Sequence, residues 1–231
     1  MGYFYMDWTY LLVLLGAAIC GIASIRMRST FSKYSKRMST TGMVGAQVAE
    51  MMLRENGIFD VRVQHTSGSL TDHYDPKTKT VNLSDTVYNS SSVAAIGVAV
   101  HECGHAVQHA RNYAPLKART ALVPLANIGS TLAWPVLIFG LFFTRYSSTL
   151  WIHIGILLFS VAVLFQIVTL PVEFNASHRG LAYIKERGLV QGRELSDTRS
   201  VLVAAALTYV AGALSSILQF LRILLLAERR R

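Results

Sequence analysis

Four runs of this sequence contain no Asp, Glu, Lys or Arg: residues 8–25, 120–144, 146–172 and 200–221. Each approaches or exceeds the roughly 20 apolar residues that a helix needs to cross the hydrocarbon core of a bilayer. No other feature limits the fold as strongly. Only 15% of the 231 residues are charged, and the shortage is confined to these runs. The remaining 139 residues carry all 35 charges, about the 25% density of a soluble domain. The chain therefore reads as two materials, four membrane spans and one small water-soluble portion. That argues against an ordinary soluble enzyme, a disordered chain or a disulfide-stapled secreted domain. The alternative for each run is a buried helix of a soluble core, and four such runs in one short chain weaken it.

Residues 1–7 have no Lys or Arg and include Asp7, so the first run is read as a retained anchor rather than a signal peptide. Run 120–144 contains Pro124 and Pro135 and predicts a kinked span, and run 200–221 is rich in Ala, Gly and Ser, as helix-packing faces are. Segments 26–119 and 173–199 hold 17 Lys and Arg, against 5 on the other side, namely Arg145, Arg222 and residues 229–231. The positive-inside bias then puts both long loops in the cytoplasm. It also accounts for the net charge of +9 without nucleic acid as a partner.

In the soluble portion, residues 26–38 read as a basic linker. Ser39, Thr40 and Thr41 offer caps to a helix over 42–56, and Gly57 stops it. Residues 59–65 alternate as a strand, and 70–74 with 80–83 form a hairpin around Asp75-Pro76-Lys77-Thr78. Ser90 to Ser92 cap a helix over 93–111. The order is helix, small antiparallel sheet, helix, membrane hairpin, short loop and last span.

The capped helix carries His101-Glu102-Cys103-Gly104-His105. Histidines four apart lie about 40° apart around a helix, so both reach one metal ion, and the Glu beside the first is placed to take a proton from water. The plain alternative is two histidines so spaced by chance. A hydrolytic zinc site needs a third protein ligand and an open position. His109 is eight residues beyond His101 and drifts about 80° off the face, a poor candidate. Glu173 is the first charged residue after the membrane hairpin returns to the same face; its alternative role is a solvated acid. Glu186, Glu194 and Asp197 compete from farther along, while Asp72, Asp75 and Asp85 suit turns and caps. His178 and Arg179 are candidate oxyanion donors, with an exposed polar residue and an interfacial charge as the bland readings. Asn175 is a candidate to orient a ligand histidine. Cys103 points away from the histidine face.

Leu70 to Pro76, Val81 to Ser84, Ser91 to Ala95, His101 to His105, Leu170 to Ser177 and Ala204 to Val210 together resemble the YugP family of membrane zinc-dependent proteases. The likeness runs in order through nearly the whole chain. It implies an α+β membrane protein of four transmembrane helices and a small zincin-like cytoplasmic domain, distantly similar to HtpX-type and prenyl-protein membrane proteases. In those a Glu beyond a membrane hairpin completes the site. The resemblance implies His101, His105 and Glu173 as ligands of one Zn²⁺ and Glu102 as the base. Two departures stand near Glu173: Asn175 where an Asp is expected, and His178 where an Arg is common.

The reading that follows is a zinc metalloendopeptidase of the bacterial inner membrane with its site at the cytoplasmic surface. Its parts are an anchor (1–25), a catalytic domain (26–119), a membrane hairpin (120–172), a cytoplasmic helix and loop (173–199) and a last span with a basic tail (200–231). Partners are polypeptide substrates, membrane proteins among them, the lipid bilayer, and a second copy or membrane partner. Rivals are a catalytically silent zinc-binding scaffold and a site-2-type intramembrane protease, which lacks support because the chain has no Asp-Gly pair.

Overall fold

The computed structural model describes residues 7–142 and 148–228, with no side chains described for 141–149. Most of the acidic leader, Arg145 and the basic residues 229–231 lie outside the described residues. The element order is α1 (Tyr10–Ser35), α2 (Gly45–Glu55), β1 (Arg62–Thr66), β2 (His73–Asp75), β3 (Thr80–Ser84), α3 (Val93–Ala110), α4 (Ala114–Phe142), α5 (Ser148–Glu186) and α6 (Arg193–Glu228).

The chain divides into two compact units. One comprises residues 1–23, 117–170 and 208–231, the other 24–116 and 171–207. The first is made of parts of the four long helices α1, α4, α5 and α6, which are apolar enough to cross a membrane. Their large side chains face outward: Leu11 is 61% exposed and Leu157 66%. Exposure on this scale removes the alternative of a soluble core, because water would strip such faces of their stability. The buried apolar cluster is small: Ala133, Leu137, Phe159, Val163 and Ile223. Close approach does the packing instead. A Cβ on Gly129 would stand 2.5 Å from the Leu158 carbonyl oxygen, and one on Gly16 would stand 2.7 Å from Ser215 Oγ. Pro124 and Pro135 both sit inside the continuous helix α4.

The second unit has a conventional core. Met52, Leu53, Leu83, Ile96 and Ile184 are almost fully buried. At its centre is α3, with 13 of 18 residues buried. A run of Val, Ala and Gly allows this, since small side chains admit neighbours on every side. Ser92 caps α3 as the sequence indicates, its hydroxyl accepting from Ala95 N at 3.2 Å. Helix α2 stops where Gly57 takes φ +73°.

Several local expectations change. Residues 26–35 are not a linker but the last turns of α1. Lys and Arg are good helix formers, so their arrival marks the end of the apolar run and not of the helix. Ser39 and Thr40 do not cap α2, which starts at Gly45 behind Val44. Both instead donate to the buried carboxylate of Glu194, Ser39 Oγ at 3.0 Å and Thr40 N at 3.1 Å. The sheet is mixed rather than antiparallel, in the order β1-β3-β2. β1 runs parallel to β3 with Val63 opposite Val81, while β2 is antiparallel to β3 with Tyr74 opposite Val81. The most buried strand, β3, takes the centre, and the chain must pass over it to lay down β2 first. β2 begins only at His73 because Leu70 sits at φ +59°, a left-handed conformation that no strand continues through.

Candidate metal centre

Helix α3 presents His101 and His105 on one face, and α5 brings Glu173 to them. His101 Nε2 is 3.3 Å and His105 Nε2 3.5 Å from the same carboxylate oxygen, Glu173 Oε2. All three ligand atoms lie within 4.8 Å of one another. The side chains are 12%, 12% and 3% exposed, so the cluster is shielded from solvent. Two glycines make this approach possible. A Cβ on Gly104 would stand 2.5 Å from the Ala176 carbonyl oxygen, and one on Gly180 would stand 2.9 Å from that of Val100. Backbone meets backbone at both, so the two helices close to a distance that only glycine tolerates.

The outer nitrogen of each imidazole is engaged. His101 Nδ1 lies 3.0 Å from Ser177 Oγ, one turn beyond Glu173. His105 Nδ1 lies 3.1 Å from Gln108 Oε1, and Gln108 Nε2 donates to Val172 O at 2.8 Å and Asn175 Oδ1 at 3.0 Å. Arg179 Nε donates to the same Asn175 oxygen at 2.7 Å, with its guanidinium 5.8 Å from the Tyr113 ring centre. Burial by itself lowers the His105 pKa, but the Glu173 contact and the charges of Glu102 and Glu173 outweigh it, and the net shift is upward.

Glu102 is 8% exposed and lies about 60° around the helix from His105 and about 100° from His101. Cys103 faces away, its thiol donating to Ala49 O at 3.5 Å, and burial pushes that thiol well above its usual pKa. His109 is outside the cluster, 2.7 Å from the Tyr74 hydroxyl.

The competing acids are occupied elsewhere. Glu194 holds Ser39 and Thr40, and Asp197 pairs with Arg37. Asp72 accepts from Ser84 N at 2.7 Å, Asp75 from Lys77 N at 2.9 Å, and Asp85 from Gly68 N at 2.8 Å. Glu186 is exposed. His178 is not brought to the cluster. It is exposed and, five residues past Glu173, lies about 140° around the helix from it. Sequence reasoning missed Gln108 and Ser177. The signal was there, at three residues past His105 and four past Glu173, where helix neighbours stack.

Two imidazoles and one carboxylate form a donor set of catalytic zinc sites. The occupied outer nitrogens are what ligand histidines require. The residues present fit zinc.

The comparisons with known proteins point the same way. Residues 9–228 match the family described as "Putative neutral zinc metallopeptidase". The chain is 43% identical over 219 residues to "Putative membrane protease YugP" of Bacillus subtilis (strain 168), covering 94% of this chain and 96% of that one. No solved structure matches. A match over nearly the whole chain, with the site residues gathered in one place, makes this protein a member of that membrane zinc metallopeptidase family.

Proposed function

We propose that the chain is a zinc-dependent endopeptidase of the bacterial plasma membrane, acting on polypeptides at the cytoplasmic surface. The observation that carries this reading is the convergence of His101, His105 and Glu173, with Glu102 on the same helix α3 one residue past His101. The three would hold one Zn²⁺. When bound, the ion would polarise the scissile carbonyl and make water more acidic. Glu102 takes the proton of the attacking water and delivers it to the departing amine. Ser177 and Gln108 keep the two imidazoles aimed, and the buried Glu173 neutralises part of the added charge. The edge strand β2 packs on α3 through Tyr74 and His109, and it offers a free backbone edge on which an extended substrate adds as a further strand. The distribution of Lys and Arg supports the cytoplasmic orientation. Membrane proteins are among the substrates in this reading, and a second copy or a membrane partner is compatible with it.

A site-2-type protease has less support, because α3 lies in the core of the second unit and is not among the four candidate spans. A silent scaffold is separated by activity alone. The full chain in detergent should cleave an unstructured reporter peptide. Glu102→Gln should retain zinc and lose cleavage by about 10²–10⁴-fold; unchanged cleavage would refute the base assignment.

A further inference from the structure

The two histidines are not held alike, and the difference points to a positioning residue. Gln108 is fully buried, so each polar atom of its amide must find a partner. The Val172 carbonyl can only accept, and it lies 2.8 Å from the amide nitrogen. That contact fixes which end of the Gln108 amide is nitrogen. The second N–H goes to Asn175 Oδ1, and the amide oxygen then faces His105 Nδ1. An amide oxygen also only accepts. His105 therefore carries a proton on Nδ1, which leaves Nε2, the atom that faces Glu173, as the nitrogen through which it would bind a metal. His101 has no such lock, because the Ser177 hydroxyl can donate or accept.

We propose that Gln108, held by Asn175 and Arg179, is the positioning residue that commits His105 to its metal-binding tautomer, so that α5 tunes metal affinity through a relay of side chains as well as through Glu173. The inference rests on the zinc reading of His101, His105 and Glu173. It also gives a role to the Asn175 position. Only its Oδ1 is used, accepting from Gln108 and from Arg179. A carboxylate oxygen does the same work, whereas an apolar side chain does not.

The test is zinc affinity, measured by chelator competition on the full chain in detergent. Gln108→Leu keeps the side-chain bulk and removes the acceptor, and should weaken zinc about 10–100-fold, the range for lost outer partners of ligands. Asn175→Leu should weaken it in the same direction, and Asn175→Asp should hold zinc within about threefold of wild type, a rescue that loss of packing would not give. His105→Ala is the control for the zinc reading. If it binds zinc like wild type, that reading falls and takes the relay with it. If His105→Ala loses zinc while Gln108→Leu stays within about twofold of wild type, the relay alone is overturned. Should Gln108→Leu fail to fold, the Asn175 pair decides: equal affinities for the Leu and Asp variants overturn the proposal.

Discussion

The two compact units bury their side chains by different rules. In the unit made of residues 24–116 and 171–207, polar groups reach across elements: Glu194 to Ser39, Asp72 to Ser84, Gln108 to Val172. In the unit made of 1–23, 117–170 and 208–231, Ser130, Ser160, Thr169 and Ser216 instead bond carbonyls of their own helices. Contacts between helices there include glycine clefts, rings such as Phe159 stacked on Phe220 at 6.2 Å, and Arg222 over the Tyr10 ring at 4.0 Å. The difference follows from the solvent each is built for. Water rewards burial of apolar area and lets a core carry a few satisfied polar networks. Lipid gives no reward for hiding Leu from Leu, so close van der Waals fit remains. The candidate metal centre lies in the second unit, among residues 24–116 and 171–207.

The sharpest way to break this comparison is to remove the polar centre. His101→Ala and His105→Ala should each abolish stable zinc binding and hydrolysis while leaving the four long helices intact, measured as metal content together with far-UV circular dichroism. Loss of helix on the scale of α1, α4, α5 and α6 would mean that the centre organises the membrane unit too.

Next are large-to-small changes on the two sides. Leu53→Ala empties a buried site (2% exposed) and should cost about 2–5 kcal/mol of the second unit's stability. Leu157→Ala removes a side chain that is 66% exposed and should change the melting temperature in detergent little. Equal effects would erase the distinction between the units.

Glycine contacts give a finer contrast. Gly104→Ala drives a methyl against the Ala176 backbone oxygen, which cannot turn aside. It should cost about 1–3 kcal/mol and loosen zinc as well, because it separates α3 from Glu173. Gly21→Ala meets nothing within 4 Å and should leave melting and zinc content unchanged. The smallest expected effect belongs to His178→Ala, which should hold hydrolysis within about twofold of wild type; a loss above tenfold would return that exposed residue to the site.

Much of this was legible in the residues, for reasons that differ by element. The spans declare themselves through length and missing charge, and α3 through Ser92 and its paired histidines. Strand pairing did not, since alternation over 59–65 reports a face and not a partner, and the parallel register of β1 with β3 depends on the whole sheet. The end of α1 was hidden because Arg26, Arg28 and Lys33 change the solvent preference without ending the helix. At the site, Glu173 was reachable by topology, whereas Gln108 and Ser177 act through hydrogen bonds between α3 and α5 that a one-dimensional motif does not encode.

The central claim is that His101, His105 and Glu173 form one zinc site. Zinc per chain in the purified full-length protein, wild type beside Glu173→Ala, tests it most directly. The account predicts about one zinc per wild-type chain and a large loss in the variant. Full occupancy in Glu173→Ala would contradict it.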